Sequence, residues 1–219
     1  MTDFPLTSLS HAVAAIEVLA VIAFAASGLV AAARARLDVL GALVVAGLAA
    51  FGGGTVRDIL LDRRPFFWVE RTDLQWGLPL FCLAVMALLR GQRLKLSERA
   101  MQWPDAVGLG LVTASGTRIA LETGAPPLVA VLMGMVTAVV GGVLRDIVCN
   151  EVPTAFRDRR PYAVCAFAGG WVMVGAHLLQ TPGWLGLFAA AATATLLRAW
   201  AMLTDYRLPE WNRDLDRDG

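Results

Sequence analysis

The sequence predicts an all-α integral membrane protein: seven transmembrane helices, arranged as two inverted three-helix repeats plus a seventh helix, with helices 2 and 5 kinked. Three observations predict it. First, of 219 residues 57% are hydrophobic and 17% charged, where an ordinary soluble domain carries roughly a quarter charged. Residues 39–56 and 125–144 hold no Lys, Arg, Asp or Glu, and residues 11–33 hold only Glu17. Such runs match a bilayer core of about 30 Å, crossed by about 20 residues rising 1.5 Å each. Second, the basic residues fall between alternate runs. Third, the chain repeats itself at an offset of 88 residues.

Taken in order, the expected spans are 12–33, 37–61, 74–89, 105–121, 126–149, 162–179 and 184–203. Residues 1–204 form a single transmembrane domain: repeat one over about 12–90, repeat two over about 103–180, the seventh helix over about 184–204. The first ten residues lack Lys and Arg and contain Asp3, so a cleavable signal is not expected. The connections are short except 90–104, and 205–219 reads as a charged cytoplasmic tail. Thirteen basic residues gather on one side of this layout, among them Arg34, Arg36, Arg90, Arg93, Lys95, Arg99, Arg157, Arg159, Arg160, Arg198 and Arg207. The other side has only Arg63, Arg64 and Arg71. The positive-inside rule then puts the C-terminus in the cytoplasm and the N-terminus outside a cell (inner) membrane.

The repeat carries the most information. Ala26-Ser27-Gly28 returns as Ala114-Ser115-Gly116, and Gly53-Gly54-x-x-Arg57-Asp58-Ile59 as Gly141-Gly142-x-x-Arg145-Asp146-Ile147. Pro65 returns as Pro153, and Glu17 is matched by Asp105. Each unit has three spans, an odd number, so the second copy enters the membrane from the opposite face. Inverted pairs of this kind build solute or ion pathways where the copies meet.

Gly52-Gly53-Gly54 and Gly141-Gly142 interrupt otherwise apolar spans. Each glycine costs roughly 1 kcal/mol relative to Ala in a helix interior, so such runs mark a kink or break, or else a close helix contact. Arg57 follows Gly53 by four residues and leans back toward it, where it would satisfy carbonyls freed by a break, with Asp58 neutralising it. Arg145 and Asp146 repeat the arrangement. Charges in mid-membrane imply a wet or paired interior.

Ser27 and Ser115 are equivalent hydroxyls that fit a pore lining. Arg118 has no counterpart, Val30 standing in its place; it reads as a gate, as an arginine reaching the interface, or as a partner of Glu122. Glu17 and Asp105 read as first-turn acids complementing a helix dipole, and secondarily as a mouth that concentrates cations. Cys82, Cys149 and Cys165 are far apart and suit small buried hydrophobes, while His11 and His177 fall near span ends, so no metal and no cofactor are expected. A net charge of +1 excludes a strongly basic nucleic-acid binder, and no nucleophile–base set or phosphate loop suggests an enzyme.

Two three-helix repeats, each with GG-x-x-R-D-I on its second helix, plus a seventh helix resemble the prokaryotic members of the TRIC (trimeric intracellular cation channel) family. The resemblance covers nearly the whole chain except its tail. It implies a homotrimer in membrane lipid, each subunit with its own pore along the two kinked helices, permeable to K+ and other monovalent cations such as Na+. It places Gly52–Gly54, Arg57, Asp58, Gly141, Gly142, Arg145 and Asp146 at the ion pathway and its kinks. The other reading of the residues is a secondary transporter for a small zwitterion such as glycine, whose two charges an Arg–Asp pair would match.

Overall fold

The structure, a computed structural model, describes residues 6–89 and 97–209, with side chains from residue 13 onward. Among these residues there are eight helices and no strand: α1 (Leu6–Arg34), α2 (Val39–Leu60), α3 (Thr72–Leu89), α4 (Glu98–Glu122), α5 (Pro127–Val148), α6 (Thr154–Arg157), α7 (Ala163–Leu178) and α8 (Gly183–Thr204). The seven long helices follow the seven expected spans in order, and α6 is an unanticipated single turn. Five of them, α1, α2, α3, α5 and α8, are both long and apolar enough to cross a membrane. The apolar α7 is shorter at 16 residues. The 25 residues of α4 include Glu98, Arg99, Asp105, Arg118 and Glu122. Residues 1–5, 90–96 and 210–219, with the side chain of His11, lie outside the described residues, so the expectations for Arg90, Arg93, Lys95 and most of the tail fall there too.

Local chemistry sets the helix ends. Asp38 caps α2 by accepting from Gly41 N at 2.7 Å, and Pro127 opens α5, where a missing N–H costs nothing. Ser97 caps α4, accepting from Ala100 N at 3.3 Å. That cap precedes the apolar run, so α4 begins at Glu98 rather than at the expected 105, with Pro104 inside it. One consequence is a correction: Glu17 and Asp105 lie well inside α1 and α4, not in first turns. Their role is therefore not dipole complementation.

α4 occupies the middle of the bundle, packed against α1, α5, α7 and α8. The decisive crossing is between α2 and α5. Of the expected kink or break, the structure shows no break: both helices run uninterrupted through their glycines. A Cβ on Gly53 would overlap the carbonyl oxygen of Thr137, and one on Gly141 would overlap that of Ala49. Gly54 faces the Phe67 ring, and a Cβ on Gly52 would sit 2.6 Å from Leu144 Cδ1. The glycines thus allow backbone-to-backbone approach, as small residues do between membrane helices. Gly142 is less constrained, its nearest neighbours being 3.5 Å away.

These contacts are reciprocal. Shifting Gly53–Thr137 by the repeat offset of 88 gives Gly141–Ala49, with the copies exchanged. A two-fold axis between antiparallel helices produces this pattern. Gly28 against Ala46 likewise has its counterpart in Gly116 against Gly134. Elsewhere, Arg34, Arg157, Arg159, Arg160 and Arg207 gather around one polar cavity of about 480 Å³, so residues assigned to one face from the sequence do share one end of the bundle.

Candidate functional site: two buried arginine clusters

Arg57 on α2 and Arg145 on α5 are each 2% exposed, and each is held by carboxylates from its own copy. In the second copy, Arg145 Nη1 donates to Asp105 Oδ1 at 2.6 Å and also to Ser27 Oγ on α1 of the first copy. Its Nε donates to Asp146 Oδ1 at 2.7 Å. Asp105 Oδ2 accepts from the Tyr162 hydroxyl at 2.6 Å, and Asp146 Oδ2 from Thr154 N at 2.7 Å, which anchors α6. Both carboxylates of the cluster are thus bonded through both oxygens.

The Tyr162 ring lies under the guanidinium of Arg198, 4.9 Å from its centroid. Arg198, 1% exposed on α8, donates to Pro161 O at 3.0 Å and to Asp158 Oδ2 at 3.1 Å. The charge count groups Arg198 with the basic residues of one side, and it does lie beside Arg160 and Asp158 there, but buried rather than exposed. Its stem enters the bundle because the 158–162 segment offers carbonyls and a carboxylate to meet it. Burial pushes the Asp158 carboxyl up, yet hydrogen bonds from the Arg160 side chain and backbone and from Arg198 outweigh it and leave the pKa below the usual carboxylate range.

The first copy is built from equivalent residues but is looser. Arg57 Nε donates to Asp58 Oδ1 at 2.9 Å, while Nη1 is 3.7 Å from Glu17 Oε1. Asp58 Oδ2 accepts from Phe67 N at 2.9 Å, and Arg57 stacks 5.3 Å from the Phe67 ring centroid. Arg63 and Arg71 reach Asp58 and Glu17 at 3.3 and 3.9 Å from more exposed positions. Leu74 stands where the second copy has Tyr162, so Glu17 has no equivalent hydroxyl. Beside Arg57 lies a cavity of about 20 Å³, lined among others by Glu17, Gly53, Gly54, Ser115 and Thr137. That is room for about one water.

Of the residues expected from the sequence, the structure brings together Arg57, Asp58, Gly53, Gly54 and Ser115 on one side of the crossing. On the other it brings together Arg145, Asp146 and Ser27. Neither arginine caps a broken helix, because α2 and α5 are continuous at their glycines. Arg118 stands apart: its Nε donates to Glu122 Oε1 at 2.6 Å across one helical turn, and it does not line the cavity beside Arg57.

A family model described as a glycine transporter matches the chain twice, over residues 14–91 and 102–177, with starts 88 residues apart. A UPF0126 membrane protein of Deinococcus radiodurans is 35% identical over 204 residues, 89% of this chain and 92% of that one. The UPF0126 inner membrane protein YadS of Escherichia coli is 33% identical, over 91% of this chain and 96% of its own length. Among solved structures, a TRIC trimeric intracellular cation channel orthologue from Rhodobacter sphaeroides superposes with a TM-score of 0.79 at 33% identity, covering 89% of this chain and 98% of that one. The chain is a prokaryotic member of the TRIC family. A prokaryotic TRIC channel solved in 0.5 M KCl shares its fold at a TM-score of 0.81, with 23% identity.

In this TRIC protein, Glu17, Asp105, Tyr162, Thr137 and Arg198 belong to the clusters although the motif does not contain them. Glu17 and Asp105 carry a usable sequence signal, a matched acid at equivalent places in both copies. Tyr162 and Arg198 carry none, having no equivalent in the other copy.

Proposed function

We propose that the protein is a cation channel whose pathway runs between the two copies, past the α2–α5 crossing and the two arginine clusters. The observation that carries this reading is the charge balance. An arginine beside a cation path repels cations unless compensated, and here each buried arginine meets two carboxylates: Asp105 and Asp146 around Arg145, Glu17 and Asp58 around Arg57. Around Arg145 one guanidinium and two carboxylates leave a net negative field, which favours a monovalent cation, whereas around Arg57 the carboxylates are also met by Arg63 and Arg71 from the rim. The likeness to TRIC cation channels supports the same conclusion. On this reading K+ and Na+ are the permeant ions, and the chain works as a homotrimer in the cell membrane with a pore in each subunit. The N-terminus is outside and the C-terminus cytoplasmic. Gly52–Gly54 and Gly141–Gly142 shape the pathway, and Arg57, Asp58, Arg145 and Asp146 line or control it.

The test is electrical. Reconstituted protein in a planar bilayer under a KCl gradient gives currents reversing near the K+ potential; reversal near the Cl− potential overturns the reading. One finding favours a second reading as a carrier for a small zwitterion, the match to a family model described as a glycine transporter, although the cavity beside Glu17 and Arg57 holds only about one water in this conformation. Saturable glycine uptake without unitary currents selects the carrier.

A further inference from the structure

Ser27 and Ser115 are repeat equivalents, and both are fully buried. Their surroundings differ. Ser27 Oγ accepts from Arg145, a bond that ties α5 of the second copy to α1 of the first. The repeat relation pairs Arg57 on α2 with Ser115 on α4 in the same way, and that bond is not made. Ser115 Oγ and Arg57 Nη2 have no hydrogen-bond partner among the described residues. Arg57 Nη2 lies 2.8 Å from Asp58 Oδ1, close enough for charge attraction but off the hydrogen-bond direction. Both residues line the small cavity beside the crossing. Unmatched buried polar atoms are costly and need a reason. Here the two sit across one cavity, each the image of a group that is bonded in the other copy.

We propose that Arg57–Ser115 and Arg145–Ser27 are alternating latches: the chain has a second conformation in which Arg57 donates to Ser115 and Arg145 has let go of Ser27. The described conformation is the one with the Arg145 latch closed. Each latch joins the second helix of one copy to the first helix of the other. The crossing between them is formed by the reciprocal Gly53–Thr137 and Gly141–Ala49 contacts. Rocking one copy on the other about that crossing shortens one Arg–Ser separation as it lengthens the other, the motion that inverted repeats permit. Released Arg145 keeps Asp105 and Asp146, as Arg57 now keeps Asp58 and Glu17, so neither state strands a charge. The functional meaning, that exchange opens one end of the pathway as it closes the other, rests on the proposed pathway; the exchange itself does not.

Two equal deletions test it, because they have opposite effects. Spin labels are placed on Leu60 and Thr123 at one end, and on the equivalent Val148 and Ala35 at the other, in full-length protein with Cys82, Cys149 and Cys165 replaced by Ala. Distances are measured by pulsed electron resonance in lipid. Ser27→Ala removes the closed latch and moves the population toward a state with a shorter 60–123 distance and a longer 35–148 distance, by about tenfold in the ratio of states, the scale of a hydrogen bond to a charged group. Ser115→Ala moves it by a similar factor toward the described conformation. Identical distributions in all three proteins, or both variants moving in the same direction, overturn the proposal. Exchange without cation current leaves the latches standing and removes the channel; current without exchange does the reverse.

Discussion

Arg145 and Ser27 are 118 positions apart in the chain, yet the guanidinium of one donates to the hydroxyl of the other inside the bundle, both nearly inaccessible. This bond spans the two copies, and its surroundings are complete: Asp105 and Asp146 take the other guanidinium bonds, and Tyr162 and Thr154 donate to the far oxygens of those carboxylates. A single guanidinium on α5 thereby links α1 and α4, and Tyr162, at the start of α7, extends the link to a fourth helix.

Gly53→Ala separates α2 from α5, because the added methyl meets the Thr137 carbonyl, a backbone atom that cannot swing aside. A loss of about 1–3 kcal/mol is expected, the cost of overpacking a filled site. Gly77→Ala on α3 is the control: nothing lies within 4 Å of its Cβ, so it stays neutral or gains a little from helix propensity. Thermal melts of both variants in detergent check the contrast, and equal melting points contradict a tight α2–α5 crossing.

Tyr162→Phe deletes one hydroxyl and leaves the ring under Arg198. Asp105 Oδ2 loses its 2.6 Å donor. A hydrogen bond to a charged group contributes about 1.5–3 kcal/mol, and that much weakening of the Arg145 cluster should register both in melting temperature and in a raised open fraction of single-channel records. A variant with wild-type records would detach Tyr162 from the control of the pathway.

Asp146→Asn removes one of the two carboxylates facing Arg145, putting a neutral amide where the charged group at 2.7 Å stood. Cation flux in liposomes falls by about tenfold, an order-of-magnitude figure for one lost charge near a desolvated path. Asp73→Asn, whose partner Arg71 is at the rim, barely changes it. Equal flux from all three proteins removes the cluster from conduction.

Asp158→Asn breaks the tie between α8 and the 158–162 segment. Because the Asp158 pKa is lowered by folding, its contribution is present above its unfolded value of about 3.9 and disappears as pH falls through the lower folded value. The stability gap between wild type and variant is therefore constant from pH 7 to about 5 and closes below about pH 4. A gap that widens in acid contradicts the assignment.

The layout of helices is legible in the sequence because lipid demands long apolar runs, and because a duplicated motif survives at constant spacing. What misleads is treating each glycine run as a local event. Gly53 and Gly141 read as breaks when only their own helices are considered, whereas their partners, Thr137 and Ala49, lie in the other copy. The acids illustrate the same limit: Asp105 looks like a first-turn residue because Ser97 and Glu98, which start α4, precede the apolar stretch. Arg198 and Tyr162 are illegible for a plainer reason. Their pairing joins α8 to the segment after α6, 36 positions away, and no periodicity encodes it.

The reciprocal crossing of α2 and α5 also bears on how the two halves of this gene product can diverge. Gly53 and Gly141 border a single shared seam, so bulk added in either copy pushes on both backbones at once. Substitutions there are not independent: once one methyl has pried the helices apart, a second at the mirrored position meets little further resistance, and the paired variant loses less than the two single losses combined. A duplicated protein of this design carries its internal ancestry as a mechanical coupling, long after its two sequences have drifted.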